Sequence, residues 1–149
     1  MRMEQVELTN MCMVISGNRV LVEEKRGRGY KGIVFPGGHV EMHEPIVDSV
    51  IREMYEETGL TIRNPQLCGI KNWVQKDGSR YIVFLFKTND FDGEICSSDE
   101  GEVFWTDFDQ IHELNLMWNM EEILQIMCTD NCSEYYFDTR VETAPGILK

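Results

Sequence analysis

The sequence predicts an α+β protein in which paired strands accompany two helices. Short apolar or alternating runs separated by turn residues indicate strands, and they flank a segment whose apolar residues recur at the 3.6-residue helical period. A second helical pattern begins near residue 119. The 149 residues, 42% of them hydrophobic, are enough to bury a core, so we expect a single domain over residues 1–149.

The N-terminal element is a predicted hairpin. Residues 6–16 and 19–24 have the composition of strands, and Gly17-Asn18 between them is a turn signal of hairpin type. A basic segment follows at residues 25–32, where guanidinium and ammonium groups could meet phosphate oxygens. Arg28 and Lys31 are its candidate phosphate contacts, and the alternative is a surface loop with solvating charges.

Residues 38–60 place a glycine turn before an acidic helix. Glu53, Glu56 and Glu57 are spaced i, i+3, i+4, so they share one helical face with Cβ atoms roughly 5–6 Å apart. Arg52 supplies one positive charge against these three negative charges. The remaining charge suggests a divalent metal, and oxygen ligands favour Mg²⁺, Mn²⁺ or Ca²⁺ over zinc. The alternative interpretation is a solvated acidic face.

The rest of this helix predicts how the glutamates are presented. Five apolar residues lie within an arc of about 140°, which indicates a core-facing stripe: Ile46, Val47, Val50, Ile51 and Met54. The glutamates centre about 100° from that stripe, on the flank of the helix, where a cleft can form. Gly59 is suited to end the helix because it tolerates a positive φ.

The same segment carries a family signature. Gly38, five residues, Glu44, seven residues, and then Arg52-Glu53-Met54-x-Glu56-Glu57-x-Gly59-Leu60 resembles the complete signature of the Nudix hydrolases. Phe35-Pro36-Gly37-Gly38 before it resembles the MutT-type branch. The resemblance implies the Nudix fold, an α/β/α sandwich with a central mixed β-sheet and a metal-binding loop-helix-loop motif. It also implies hydrolysis of nucleoside diphosphates linked to another moiety, with Mg²⁺, or Mn²⁺ as a substitute, held by the helix glutamates.

The turn before the helix has both structural and functional interpretations. The resemblance implies that a carbonyl of Gly37 or Gly38 completes the metal shell, whereas two glycines can also simply make a tight turn. Glu44 precedes Pro45, the predicted first helical residue, so interaction with the helix dipole would by itself explain this carboxylate. The signature adds a role for Glu44 in supporting the metal ligands.

The second half of the chain predicts more strands. Residues 66–75 and 81–87 are predicted to pair around an Asp-Gly turn, and the continuous apolar run at residues 81–86 indicates a central strand buried on both faces. A short helix or turn is expected at residues 107–114. Residues 133–140 are predicted as an edge strand and residues 141–149 as a loose tail.

An acidic loop at residues 97–102 precedes a short strand at residues 103–105. In the family that the chain resembles, a glutamate from a loop ahead of a Trp-containing strand often joins the metal site. Glu100 is the candidate for that role, with Asp99 and Glu102 as open alternatives.

Residues 119–127 predict the second helix. Asn119 is a suitable N-cap, and Glu122 three residues later completes a capping-box pattern. Similarity to MutT-type proteins implies another role for Asn119, hydrogen bonding to a purine base through its amide, which offers donors and an acceptor. Trp118 and Trp73 could stack on the same ring, and either could instead belong to the core.

These residues together predict a phosphoanhydride hydrolase. Glu53 and Glu100 are the candidate general bases, and Arg52 completes the predicted catalytic set. Residues 35–44 and the Asn119 region resemble oxidised-guanine triphosphatases that cleanse the nucleotide pool. This resemblance implies conversion of a purine nucleoside triphosphate, with 8-oxo-dGTP as the leading substrate, to the monophosphate and pyrophosphate. ADP-ribose, a dinucleoside polyphosphate, a pyrimidine triphosphate or a capped RNA end are alternative substrates, and a non-catalytic nucleotide sensor is an alternative function.

Charge and cysteine usage indicate the expected partners and compartment. A net charge of −12 disfavours binding to nucleic-acid polymers or anionic membranes, so a small nucleotide is the expected partner. No apolar run approaches the roughly 20 residues of a membrane span, and the first ten residues lack the apolar region of a secretory signal. The five cysteines form no CxxC pair, which predicts reduced thiols and a cytoplasmic protein.

Overall fold

The structure is a computed structural model that describes residues 2–27 and 29–149. Within these residues the elements follow one another in an α+β order. They are β1 Val6–Ser16, β2 Arg19–Gly27, β3 Tyr30–Val34, α1 Ile46–Thr58, β4 Thr61–Arg63, β5 Gln66–Val74, β6 Arg80–Thr88, β7 Asp90–Asp92, β8 Gly101–Asp107, a 3₁₀ helix Phe108–Glu113, α2 Met120–Cys128, β9 Glu134–Asp138 and β10 Ile147–Leu148.

A mixed sheet is the centre of the fold. Seven of its eight strands follow the order β10-β9-β5-β6-β1-β2-β3, and the eighth strand, β8, pairs with β2. β1 runs parallel to β6, and β5 runs parallel to β9, whereas the other pairs in this sheet are antiparallel. The prediction of a central mixed sheet is therefore confirmed. β4 and β7 form a separate two-stranded sheet.

The two α-helices pack into separate cores. One core joins α2 to Val83 and Leu85 of β6, and the other joins α1 to Phe86 of β6 and to buried residues of β1. Leu85 and Phe86 are adjacent on one strand, so their side chains point to opposite faces. The predicted role of β6 as a central strand, buried from both sides, is confirmed.

Helix α1 has the expected end but a different start. Gly59 has φ 79° and donates its N–H to the Tyr55 carbonyl at 2.9 Å, as predicted for a residue that ends a helix. Pro45 was expected as the first helical residue, but its ψ of 139° is extended and the helix begins at Ile46. Val50 and Met54 of the apolar stripe are buried, whereas Val47 in the first turn of the helix is exposed, although it lies inside the arc.

Two further expectations about strands were wrong. The second strand was expected to end at residue 24, with a surface loop as one alternative for the basic segment, but β2 continues to Gly27 and pairs with β3. Residues 133–140 do not form an edge strand, since β9 lies between β5 and β10, and the supposed tail contributes β10. A two-residue strand such as β10 has no periodicity for a sequence pattern to reveal. None of the helices in the described part of the chain has the length and apolarity to cross a membrane.

Candidate active site

A cavity of about 640 Å³ opens on one face of the central sheet. Alternate residues of a strand share a face, and this rule accounts for the cavity floor. The floor side chains are Thr9 and Met11 of β1, Tyr81 and Val83 of β6, and Lys71 and Trp73 of β5. Carboxylates line one end of the cavity, and aromatic rings line the other.

Three glutamates from distant parts of the chain meet at the acidic end. Glu23 of β2, Glu57 of α1 and Glu100 before β8 each have a carboxylate oxygen within 4.8 Å of the others. Glu23 is 0% exposed and Glu57 is 3% exposed. The Lys25 ammonium lies 3.2 Å from Glu100, 3.5 Å from Glu23 and 3.8 Å from Glu57. If all four groups are ionised, the cluster has a net charge of −2.

The buried oxygens of this cluster are incompletely satisfied. Among the described residues, neither oxygen of Glu23 accepts a hydrogen bond, and Oε1 of Glu57 also has no donor. The other Glu57 oxygen accepts the Gly37 N–H at 3.1 Å. Burying a carboxylate without partners is costly, and a hard divalent cation would supply both the missing charge and the missing ligand. An all-oxygen donor set of this kind fits such an ion.

The pKa shifts within the cluster also favour a bound cation. Burial raises the pKa of Glu57 well above its usual value, and the adjacent Glu100 and Glu23 carboxylates add to the effect. Burial likewise raises the pKa of Glu23. Burial alone would lower the pKa of Lys25, but the Glu57 and Glu23 carboxylates hold it above its usual value. A metal ion entering the cluster would therefore compete with protons.

The three glutamates of α1 do not have equivalent surroundings. Glu57 joins the buried cluster, and Glu53 lines the cavity beside Gly38. Glu56 is not among the lining residues, and its side chain is 56% exposed. Burial raises the pKa of Glu53, although a hydrogen bond from Arg52 opposes the shift. The three glutamates are neighbours on the helix surface, as predicted from their spacing, but the packing of the helix gives each of them a different exposure.

Arg52 is a bridging residue outside the cavity lining. Its Nε and Nη2 donate to the two oxygens of Glu44 at 2.7 and 2.9 Å, and Nη1 donates to Glu53 at 3.0 Å. Nη2 also donates to the His39 carbonyl at 2.9 Å. The hydrogen bonds from Arg52 lower the pKa of Glu44 to about 2, with the Glu41 N–H contributing next. This network connects Glu44 to Glu53 and holds the Glu53 carboxylate toward the cavity.

Gly37 and Gly38 allow close approach rather than an unusual turn. Neither has a positive φ, but a Cβ on Gly37 would overlap the Asn10 carbonyl oxygen and a Cβ on Gly38 would overlap the Glu53 carboxylate. The Gly38 carbonyl accepts the Asn10 N–H at 2.8 Å. The Gly37 carbonyl accepts no hydrogen bond from residues that the structure describes, so it is the freer of the two candidate carbonyl ligands.

Stacked rings form the opposite end of the cavity. Trp73 stacks on Tyr81 with centroids 4.3 Å apart and planes at 14°, and it stacks on Phe137 at 5.3 Å and 7°. At the rim, Trp118 lies 5.3 Å from Tyr30 at an angle of 58°, and both side chains are exposed. Because Tyr81 and Phe137 stand on the two strands beside β5, they cover both faces of Trp73. The exposed Trp118 and Tyr30 rings are the aromatic surfaces that could accept a planar ring as ligand.

Asn119 lines the cavity and does not cap α2. Its φ is 62° and its side chain makes no capping hydrogen bond, so the predicted capping box with Glu122 is wrong. An N-cap needs extended backbone angles, whereas Trp118 and Asn119 both have positive φ. The Asn119 amide donates to the Tyr135 hydroxyl at 3.4 Å, which leaves its carbonyl oxygen available to the cavity.

The structure also distinguishes among the basic and acidic candidates. Arg28 lies outside the described residues. Lys31 is exposed and pairs with Glu24 at 3.7 Å, away from the cavity. Of the three acidic-loop candidates, Glu100 alone is a lining residue among those described, since neither Asp99 nor Glu102 reaches this cavity.

Sequence reasoning missed Glu23, Lys25 and Lys71. Glu23 and Lys25 are two residues apart on β2, so alternation could have placed them on one face. They meet Glu57 and Glu100 only because strands far apart in sequence pair with one another, and no local pattern in the sequence indicates that pairing. Lys71 stands in a strand whose other residues are mostly uncharged, and an isolated charge within a strand is a signal that deserved a functional interpretation.

Replacing Glu23 with glutamine will separate metal binding from folding. We expect Glu23→Gln to raise the melting temperature of the metal-free protein, because it removes a buried carboxylate without a hydrogen-bond donor. The apparent affinity for Mg²⁺ should fall about tenfold or more. Thermal unfolding across a Mg²⁺ titration measures both quantities.

Glu24→Gln is the matched control, since Glu24 pairs with Lys31 outside the cavity. It should leave the Mg²⁺ dependence of the melting temperature unchanged. Equal Mg²⁺ responses from wild type and Glu23→Gln would remove Glu23 from the metal site.

The chain is similar in sequence and fold to Nudix hydrolases. The NUDIX domain family matches residues 8–126. The uncharacterized Nudix hydrolase YvcI of Bacillus subtilis is 35% identical over 130 residues, which cover 84% of this chain and 81% of YvcI. The phosphatase NudJ of Escherichia coli is 30% identical over 79 residues, covering 53% of this chain and 52% of NudJ.

A solved structure extends this similarity to nearly the whole chain. The mutator MutT protein of Bacillus halodurans superposes with a TM-score of 0.78 at 30% identity, covering 95% of this chain and 97% of that protein. A MutT protein of Methanosarcina mazei, at 20% identity and a TM-score of 0.69, shares the fold. The family match includes α1, β2 and β8, which hold or flank the acidic cluster.

Proposed function

Because the chain belongs to the Nudix hydrolase family, whose members are enzymes that hydrolyse nucleoside diphosphate derivatives, we propose that it is a Mg²⁺-dependent pyrophosphohydrolase. Its proposed substrate is a purine nucleoside triphosphate, with 8-oxo-dGTP as the leading candidate. The products would be the nucleoside monophosphate and pyrophosphate, and the reaction would remove oxidised nucleotides from the precursor pool.

The observation that carries this proposal is that one cavity has two chemically different ends. Buried carboxylates with unsatisfied oxygens lie at one end, and stacked aromatic rings lie at the other. A nucleotide has the same two-part character, with phosphates that require metal at one end and a flat base at the other. Both parts would be bound within one continuous site.

The acidic end supports the proposed metal site. Glu23, Glu57, Glu100 and the Gly37 carbonyl are the groups that would hold Mg²⁺, with Mn²⁺ as a possible substitute. When bound, the ion would neutralise phosphate charge and lower the pKa of a water molecule. The Glu56 carboxylate is a weaker candidate in this conformation because of its exposure.

We assign the general base to Glu53. Its Oε1 accepts a hydrogen bond from Arg52, while Oε2 has no donor among the described residues and lies beside Gly38 at the cavity wall. Burial raises its pKa above the usual carboxyl value, which makes the carboxylate a stronger base. Glu100 is less suited because Lys25 and Glu57 already engage it. Arg52 then acts as a positioning residue.

The aromatic end supports a purine base. The ring would stack on the exposed Trp118 at the rim, beside the edges of the Tyr81–Trp73–Phe137 stack, and the Asn119 amide would meet the base edge. The similarity to the mutator MutT protein of Bacillus halodurans supports a MutT-like member of the family, and 8-oxo-dGTP is the leading substrate because residues 35–44 and the Asn119 region resemble oxidised-guanine triphosphatases. The similarity to the phosphatase NudJ keeps a different phosphorylated substrate as the second candidate.

A release assay across a nucleotide panel tests the proposal. The full chain is incubated with Mg²⁺ and 8-oxo-dGTP, dGTP, ADP-ribose or a diadenosine polyphosphate, and pyrophosphate and phosphate are measured separately. We expect pyrophosphate release with the highest kcat/KM for 8-oxo-dGTP. A preference for ADP-ribose would overturn the substrate, and tight nucleotide binding without hydrolysis would instead support a sensor.

A further inference from the structure

Lys71 is a buried cation that forms no ion pair with any residue that the structure describes. It projects from β5 onto the cavity floor, and the residue is only 5% exposed. Its Nζ donates to the Trp118 carbonyl at 2.7 Å. Within residues 2–27 and 29–149, no carboxylate oxygen lies within 4.0 Å of this ammonium, and the nearest acidic influence is the Glu122 charge at longer range.

The ammonium therefore has unused hydrogen-bonding capacity at the cavity. A lysine has three N–H donors, and the Trp118 carbonyl is the one hydrogen-bond acceptor that the described residues provide. Burial lowers the pKa of Lys71 to about 8, so Lys71 is protonated in most molecules at pH 7. Burying a cation with free donors is costly unless a ligand completes its hydrogen bonds.

The position of Lys71 indicates which part of a nucleotide it would meet. Lys71 pairs with Val83 on β6, and Val83 pairs with Thr9 on β1. Two strand spacings therefore separate Lys71 from Thr9 by about 10 Å, and the glycine turn and glutamates lie beyond Thr9. Lys71 is thus distant from the expected phosphates.

The immediate neighbours of Lys71 are aromatic. Its Nζ lies 5.1 Å from the centroid of the Trp73 ring and 5.9 Å from that of Phe137. Tyr81 and Phe137 cover the two faces of Trp73, so a base would lie beside the edges of these rings, next to Trp118, whose carbonyl Lys71 contacts. Such a base would present its edge atoms, rather than a phosphate, to the ammonium. An exocyclic oxygen on that edge accepts hydrogen bonds, whereas an amino group would place donors against donors.

We propose that Lys71 is a specificity-determining residue that selects bases with an exocyclic carbonyl group, such as guanine-type bases, by donating a hydrogen bond to that oxygen. This inference rests on the proposed function, since it assumes that a nucleotide base occupies the aromatic end. Lys71 in the sheet would then discriminate against adenine-type bases, and Asn119 at the start of α2 would contact the same base.

A matched substrate pair tests Lys71 directly. dGTP and 2-aminopurine deoxyribonucleoside triphosphate both retain the 2-amino group, but only dGTP has the 6-oxygen. We expect wild type to prefer dGTP, and Lys71→Met to reduce the ratio of the two kcat/KM values about tenfold. Because both substrates are measured on one preparation, this ratio does not depend on the folded fraction of the variant.

Two further variants sharpen the test. Lys87→Met is the matched control, because Lys87 on β6 also donates to a backbone carbonyl, that of Met127, but lies outside the cavity lining. It should keep the wild-type ratio. Lys71→Arg retains charge and donors and should recover part of the preference that Lys71→Met loses.

A binding measurement without metal gives an independent readout. Isothermal titration calorimetry of the protein in EDTA with GMP and with 2-aminopurine riboside monophosphate should show a preference for GMP that Lys71→Met loses. An unchanged substrate ratio in Lys71→Met, or equal losses for both substrates, would overturn the Lys71 inference alone. Failure of wild type to hydrolyse any nucleotide would overturn the proposed function itself.

Discussion

Glu57→Gln will abolish Mg²⁺-dependent turnover, with a decrease in kcat of about 1,000-fold or more. Glu57 is the α1 glutamate in the buried cluster, and its Oε1 has no protein donor among the described residues. Glutamine preserves the size of the side chain and can still accept the Gly37 N–H through its amide oxygen. It removes the negative charge that a divalent ion would require.

The fold should tolerate this substitution. In the absence of metal, we expect the melting temperature of Glu57→Gln to equal or exceed that of wild type, because a buried carboxylate beside Glu23 is removed. Added Mg²⁺ should stabilise wild type but not the variant. The measurements are pyrophosphate release and thermal unfolding with and without Mg²⁺.

Glu113→Gln provides a control on an exposed glutamate of the 3₁₀ helix. It should retain wild-type turnover. Turnover of Glu57→Gln at the wild-type rate would contradict the assignment of the buried cluster as the metal site.

Gly38→Ala should lower kcat/KM by about 100-fold, the scale expected when a reacting group is displaced by roughly 1 Å. The new Cβ would overlap the Glu53 carboxylate, which a hydrogen bond from Arg52 holds beside the glycine. Gly38 has no positive φ, so alanine introduces no backbone strain there. Because the carboxylate lies at the end of a flexible side chain, it can move aside and leave the fold nearly unchanged.

Gly37→Ala provides the contrast. Its Cβ would overlap the backbone oxygen of Asn10, which cannot move without disturbing β1. We therefore expect a clearly lower melting temperature for Gly37→Ala and a nearly unchanged one for Gly38→Ala. Wild-type kcat/KM in Gly38→Ala would argue against Glu53 as the general base.

Much of the fold could be predicted because its signals are local. The Gly17-Asn18 turn, the apolar run of β6 and the glycine at the end of α1 each depend on neighbouring residues, and each was identified correctly. The short strand β10 and the true edge of the sheet were missed. Their existence depends on pairing between segments that carry little periodicity of their own.

The candidate site shows the same division. Spacing within α1 identified Glu53, Glu56 and Glu57 together, and at 100° per residue it also indicates their order of burial, since Glu57 falls inside the apolar arc and Glu56 lies farthest from it. Spacing could not tell that Glu57 would meet Glu23 and Glu100. The capping pattern at Asn119 was locally sound, yet the backbone there adopts a positive φ that turns the residue toward the cavity rim. Packing against the sheet therefore overrides the local preference.

Residues 38–60 are enough to identify the family, the helix that carries the acidic residues and the expectation of a divalent metal, because each depends on fixed spacing along one segment. The three-dimensional structure was needed to show that Glu23 and Lys25 join Glu57 and Glu100, and that Lys71 lies beside stacked rings. The physical reason is that these side chains converge through pairing of β2 with β8 and of β5 with β6, which no local pattern specifies.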